Sequence, residues 1–224
     1  MSLQQIAVYG AGGFGREVAW LVQTCNREKL LYEVVCFIDD NQDLYGCKVN
    51  GLRISGLQQA HRSFPDARVV CAIGMPGTRE TVVAKTQAAG FDFESIVHPQ
   101  IEQSQWIDVG EGAIICAGNI LTTNITIGRH VHINLGCTIG HDVRIGDYST
   151  LAPGVHVSGY VHIGSHVYVG TGAVFVNGAE NEPLVVGNDV TIGAGACVTR
   201  SIEAGQTVVG VPARPIGYAG NRPC

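Results

Sequence analysis

Long hydrophobic runs are missing from this chain. No stretch reaches the roughly 18 apolar residues needed to span a bilayer, and the first residues enter a strand pattern without a charged leader and cleavage site. The expectation is a cytoplasmic protein without a membrane span. Charge is also scarce: Lys, Arg, Asp and Glu make up 15% of the residues, 14 basic against 19 acidic, for a formal net charge of -5. No basic cluster interleaved with aromatics offers a groove to a phosphate backbone, which argues against nucleic acid as a partner. Cys-X-X-Cys pairs are absent, and Cys25, Cys36, Cys47, Cys71, Cys116, Cys137, Cys197 and Cys224 follow no regular framework. Reduced thiols are expected, with no cysteine-bound metal. There is no Gly-X-Ser-X-Gly elbow and no reactive cysteine context, which disfavours a covalent acyl-enzyme.

Glycine is plentiful. The 30 glycines crowd the second half, where they punctuate short apolar strands. Steps of six from Val109 meet Ile115, Leu121, Ile127, Ile133, Ile139, Ile145, Leu151, Val157, Ile163, Val169 and Phe175, all large and apolar. In a chain that is 46% hydrophobic, twelve such hits in a row arise by chance on the order of once in ten thousand. Gly follows at Ile127, Ile139, Ile145, Ile163 and Val169, and a small or apolar residue sits four positions on, as at Val131, Cys137 and Val143. Neither a helix nor simple strand alternation has this period. A solenoid of triangular section does: each hexad forms one flat side and three close a coil of about 18 residues. The register resumes at Val186, Ile192 and Val198 after an 11-residue step, so the segment 177–183 should bulge out as a loop. The prolines of the VVGVPARP segment from Val208 end the coils.

The first hundred residues alternate differently. Ile6–Tyr9, Val34–Ile38 and Arg68–Gly74 read as strands, and Arg16–Thr24 and Thr78–Ala89 as helices, which implies a small doubly wound sheet. Gly10, Gly12 and Gly15 match the G-x-G-x-x-G turn that brings phosphate oxygens to a helix N-terminus, and Asp39 and Asp40 end the second strand. Gly12, Asp39, Asp40 and Gly74 all fall at strand C-terminal ends, where a ligand crevice belongs. A dinucleotide would use the same features. About 100 residues supply only half of a dinucleotide fold, however, which favours a mononucleotide or nucleotide-sugar. The division is therefore a Rossmann-like α/β domain over 1–100 and an all-β parallel solenoid over 101–224.

GAGGFGRE, FIDD, the hexads, NLGCTIGHDVRIG and the ending GVPARPI together resemble the PglD/NeuD-like family of bacterial nucleotide-sugar N-acetyltransferases and sialic-acid O-acetyltransferases. The resemblance covers essentially the whole chain and supplies the left hand of the β-helix. It implies acetyl-CoA as co-substrate, His141 as general base oriented by Asp142, and Asn134 near the acceptor. It also implies that Gly12, Gly13, Phe14, Asp39, Asp40 and Gly74 hold a nucleotide-sugar, and that Thr171 and Ala194 contact acetyl-CoA. The implied assembly is a homotrimer with active sites between subunits, which suits a prism with flat apolar sides. Relatives acting on amino-sugars often carry a second His nine residues after the first, where this chain has Thr150.

Six histidines lie in the solenoid: His130, His132, His141, His156, His162 and His166. Same-face positions recur about every 18 residues, and no two of these differ by 18, so a zinc site is not expected. His130, His156, His162 and His166 read as exposed or satisfied residues. A neutral imidazole directly before an acid suits proton abstraction, which singles out His141. The leading function is acetyl transfer from acetyl-CoA to the amine of a nucleotide-linked 4-amino-4,6-dideoxysugar, directly. Sugar O-acetylation, a non-catalytic sugar-nucleotide scaffold and an NAD-dependent oxidoreductase are the alternatives, and the last would need a nicotinamide pocket that half a Rossmann fold lacks.

Overall fold

The structure, a computed structural model, describes residues 3–27 and 29–216, and Cys224 lies outside them. Five strands, β1 (Gln4–Tyr9), β2 (Tyr32–Ile38), β3 (Lys48–Val49), β4 (Leu52–Ser55) and β5 (Arg68–Cys71), form one sheet in the order β3-β4-β2-β1-β5. All neighbours run parallel except β3 and β4. Helices α1 (Gly13–Cys25), α2 (Leu57–Ser63) and α3 (Pro76–Ala88) complete this part. Ile6, Val8, Phe37 and Val70 pack with Val18 and Val22 of α1, while Ala7, Tyr9, Ile38 and Val69 pack with Ala60 of α2 and Val82 of α3. The strands are thus buried on both faces, which is why they read as continuous apolar runs. The third strand stops at Cys71, three residues before the sequence suggests, because Ile73 and Gly74 turn their carbonyls away to Arg79. The β3–β4 hairpin turns on Asn50-Gly51, both at positive φ, a turn signal too short to stand out in the sequence.

From Ile96 onward the chain winds as a left-handed parallel β-helix. Its first face begins with β6 (Ile96–Val97) and continues through Ile114–Ile115, His132–Ile133, Thr150–Leu151, Tyr168–Val169, Thr191–Ile192 and Thr207–Val209. Arg214–Pro215 folds back antiparallel on the last of these. The second face stacks Glu102–Gln103, Ile120–Leu121, Thr138–Ile139, His156–Val157, Val174–Phe175 and Cys197–Val198, and the third stacks Ile107–Val109, Ile125–Ile127, Arg144–Ile145, Val161–Ile163 and Leu184–Val186. Hexad residues from Ile115 to Phe175 fill the prism. Val109 is 37% exposed, because its strand is the outermost of the third face and no coil lies beneath it.

The corners explain the glycines. A Cβ on Gly146 would stand 2.6 Å from the backbone of Gly164 and Ser165 in the next coil, and one on Gly170 would stand 2.5 Å from Ala194 N. At these positions glycine after the apolar residue is therefore required by coil-to-coil contact. The left-handed backbone that turns each corner is carried by other residues. Gly118, Gly136, Gly154, Gly172 and Gly195 turn the corner between the first and second faces, and Asn124, Asp142 and Tyr160 that between the second and third. His130, Tyr148, His166 and Asp189 turn the corner between the third and first. Segment 177–183 replaces one turn of the second-to-third corner directly above Tyr160, with Gly178 N donating to Gly159 O and Leu184 N to Tyr160 O, both at 3.0 Å.

The N-terminal part packs on the lower coils of the first face. Ile114, His132 and Thr150 point out of the prism yet are buried, whereas Ile120 and His156 in the same position on the second face are exposed. Down the adjoining corner, Phe93 meets the His130 ring edge-on, and His130, Tyr148 and His166 stack at 5.2 and 5.3 Å. His130 and His132 are thus junction residues, and their Nδ1 and Nε2 respectively are buried without a hydrogen-bond partner.

Two expectations follow. Gly146→Ala should lower stability by roughly 1–3 kcal/mol, the usual cost of overpacking, read from the urea midpoint. Burial, aided by the Arg79 charge, pushes the pKa of His130 down to about 4 and that of His132 well below its usual value. The unfolded chain binds these protons first, so their stability contribution is complete above pH about 6.5 and falls toward pH 4 by about 1.4 kcal/mol per unit per histidine. His130→Asn, which tolerates the left-handed backbone, should flatten that slope between pH 7 and 5. An unchanged slope would remove His130 from the acid response.

Candidate active site

The glycine loop leaves β1 at Gly10, whose φ of +105° only glycine adopts readily, and enters α1. A Cβ on Gly15 would collide with the Gly10 carbonyl, so Gly15 lets the helix close on the strand. Gly12 and Gly74 instead border open space: an added Cβ at either meets nothing within 4 Å, and at Gly13 it meets only the Arg16 guanidinium at 3.9 Å. These positions lie at the C-terminal ends of β1, β2 and β5, where a ligand crevice is expected. Asp39 holds the loop in place, its carboxylate accepting from Ala11 N and Asn41 N at 2.9 Å each. Asp40 accepts from Tyr9 Oη at 2.7 Å and pairs with Lys85, whose ammonium lies 5.1 Å from the Tyr9 ring centroid. Partial burial pushes the Asp40 carboxyl up, but the bonds from Lys85 and Tyr9 prevail and hold it below its usual range. Burial and the Asp40 bond push the Tyr9 phenol far upward. Phe14 faces the His132 ring at 5.3 Å, which sets the crevice against the first face of the solenoid.

His141 and Asp142 sit elsewhere, on the corner between the second and third faces. Asp142 turns that corner at φ +58°, a conformation that Asp tolerates better than most residues. His141 Nδ1 lies 2.8 Å from Asp142 Oδ2, and the other carboxylate oxygen accepts from Asn124 Nδ2 at 3.2 Å. These bonds, the His141 one foremost, hold the Asp142 carboxyl below its usual range. Tyr160 packs edge-on to the imidazole, and Gly159 makes room for it, since a Cβ there would stand 2.5 Å from the ring. The His141 side chain is 50% exposed. Because a carboxylate only accepts, neutral His141 carries its proton on Nδ1 and presents an Nε2 lone pair. Beside the pair opens a cavity of about 500 Å³ bordered by Trp106, Asp142, Arg144, Tyr160, His162 and Glu180, the last from the 177–183 loop.

The structure gathers the crevice residues in one place and His141 with Asp142 in another. Asn134 stands at the start of the first-to-second corner, its Oδ1 3.8 Å from Cys116 Sγ. Thr171 and Ala194 lie higher on that same corner, where the Thr171 carbonyl accepts from Gly195 N at 2.8 Å. In a triangular section the second-to-third corner is opposite the first face, so one chain holds the crevice and His141 on opposite sides of the prism. Thr150 is on the first face, donating to Gly74 O at 2.9 Å. Sequence reasoning missed Tyr160, Lys85 and above all Arg79. Arg79 falls in helical register with the buried Val82, Val83 and Thr86, and a cation on an apolar face was the available signal. Among the described residues no group of three His, Cys, Asp or Glu side chains could hold a metal ion, and no helix is long and apolar enough to cross a membrane.

Residues 5–86 match the family model for the PglD N-terminal domain, and residues 124–159 that for the bacterial transferase hexapeptide of six repeats. The chain is 37% identical over 209 residues to a GDP-perosamine N-acetyltransferase of Escherichia coli O157:H7, covering 92% of this chain and 94% of that one. Among solved structures it resembles the acetyltransferase domain of PglB from Neisseria gonorrhoeae FA1090 in complex with acetyl coenzyme A, at 29% identity and a TM-score of 0.84 over 96% of this chain and 100% of that one. It also resembles PerB from Caulobacter crescentus in complex with CoA and GDP-perosamine, at 26% identity and a TM-score of 0.84 over 96% and 99% of the two chains.

Proposed function

The chain belongs to the PglD/NeuD-like family of hexapeptide-repeat sugar acetyltransferases, and from that premise we propose that it transfers acetyl from acetyl-CoA directly to the amine of a nucleotide-linked 4-amino-4,6-dideoxysugar. It is an acetyl-CoA-dependent N-acetyltransferase, and relatives named for GDP-perosamine support an amino-sugar acceptor. The observation that carries the chemistry is the His141–Asp142 pair, 2.8 Å apart on an open corner with Nε2 free. The acceptor nitrogen attacks the thioester carbonyl carbon and forms the C–N bond. Its proton passes to His141 Nε2, the C–S bond breaks and CoA departs as the thiolate. Asp142 keeps the imidazole turned and stabilises the imidazolium. The nucleotide lies over Gly12, Gly13 and Gly74, with Phe14, Asp39 and Asp40 shaping the crevice, and Asn134 meets the acceptor. Acetyl-CoA follows the corner that carries Thr171 and Ala194.

The opposed placement of crevice and base supports a homotrimer in which the crevice of one subunit serves His141 of its neighbour. His141→Asn should lower kcat by roughly 10² to 10⁴ while acetyl-CoA binding persists, and near-full activity at pH 7 would remove the residue from the mechanism. Gly12→Asp fits without a clash and places a carboxylate where a diphosphate would rest, so it too should be inactive. Co-expression of the two inactive chains should restore roughly a quarter of the sites by random mixing within trimers. No recovery in verified hetero-oligomers would place the site within a single chain.

A further inference from the structure

Arg79 is the largest fully buried side chain in the described part of the molecule, 0% exposed, and it has no carboxylate among its hydrogen-bond partners. It projects from α3 into the seam between the two halves of the chain. From its own side, Nη1 donates to the carbonyls of Ile73 at 2.7 Å and Gly74 at 3.1 Å. Across the seam the same nitrogen reaches His132 Nδ1 and Thr150 Oγ1, both at 3.0 Å, while Nη2 donates to the carbonyls of Tyr148 and Ser149. Thr150 closes the ring by donating to Gly74 O at 2.9 Å. Burial lowers the guanidinium pKa only to about 10, so the group stays charged at neutral pH.

A buried cation is a costly way to join two surfaces, and well-packed apolar residues would do it at least as well. What the cation adds is direction, because a planar fork fixes the carbonyls it binds in distance and angle. One of those carbonyls belongs to Gly74, the residue at the β5 end of the crevice. We propose that Arg79 and Thr150 are positioning residues that lock the crevice to the first face of its own solenoid, so that in the trimer a nucleotide held there delivers its sugar at the right depth and angle to the base on the neighbouring subunit. This rests on the reading that the nucleotide occupies the crevice. The nucleotide site itself lies within the N-terminal part, and acetyl-CoA is held by the coils, so loss of the lock should disturb neither. It should disturb the alignment between them, to which rate is steeply sensitive.

The test uses purified full-length Arg79→Lys and Thr150→Val. The first keeps the charge and loses the fork, and the second keeps the shape and loses the hydroxyl. Steady-state kinetics with acetyl-CoA and GDP-perosamine, well below each variant's Tm, should give kcat about 10- to 100-fold lower for Arg79→Lys and about tenfold lower for Thr150→Val. The acetyl-CoA KM and the calorimetric Kd for GDP should stay within about threefold of the parent. A lowered Tm with unchanged kcat would make the cluster merely structural, and a lost GDP affinity would make it part of the binding site. Either overturns the proposal. If Arg79→Lys fails to fold, Thr150→Val alone decides. GDP binding that Gly12→Asp leaves untouched would instead defeat the crevice reading, so the two failures are distinguishable.

Discussion

Backbone meets backbone where a glycine follows the buried hexad residue, as at Gly140, Gly146 and Gly170, and the rest of the structure depends on that approach. Coils that stack at strand spacing bring the peptide of one turn within van der Waals contact of the Cα below, which leaves no volume for a Cβ at Gly146 or Gly170. The large residue before each glycine can then fill the prism without gaps, and the outward residue between is free for other uses. On the second face that freedom leaves Ile120 and His156 exposed. On the first face it is spent on the N-terminal domain, which buries His132 and Thr150.

The two kinds of histidine in the solenoid follow from this division. His130 and His132 lie under the N-terminal domain, where burial and the Arg79 charge keep them neutral. His141 lies at the opposite corner, where no domain covers it and where Asp142, itself turning the corner, reaches the ring. The same repeat thus makes imidazole a packing element in one place and an exposed, carboxylate-paired ring in another, and the distinction is one of face.

The hexad period made the solenoid legible because each buried residue repeats one chemical demand, and the alternation of strand and helix made the N-terminal sheet legible in the same way. The contact between His141 and Asp142 was legible because adjacency in sequence is adjacency in space at a corner. Val109 misled, since a period cannot tell that the coil beneath is missing. The junction was hidden for another reason. His130 read as an exposed or satisfied residue, yet it is buried with Nδ1 unpartnered, because its burial is imposed by the earlier N-terminal part of the chain, and Arg79 finds its partners at His132 and Thr150 only where the two halves meet. Thr150 has the same history: its hydroxyl is committed to Gly74 and Arg79 rather than to the corner of His141.

The loop at 177–183 has a consequence for how this chain can change. Within the coils an insertion of anything but a whole hexad would turn glycines toward the core and apolar residues toward solvent for every residue beyond it. At this corner the chain leaves the prism after Phe175 and rejoins at Leu184 in register with Val161, so the count is reset by pairing rather than by length. The segment is free to lengthen, shorten or vary in composition while the stack above and below it stays fixed. Because Glu180 of this loop borders the cavity beside Asp142 and Tyr160, a segment whose length the hexad does not fix overlooks the corner that carries His141. A change in this loop can therefore alter the border of that cavity while the coils keep their register.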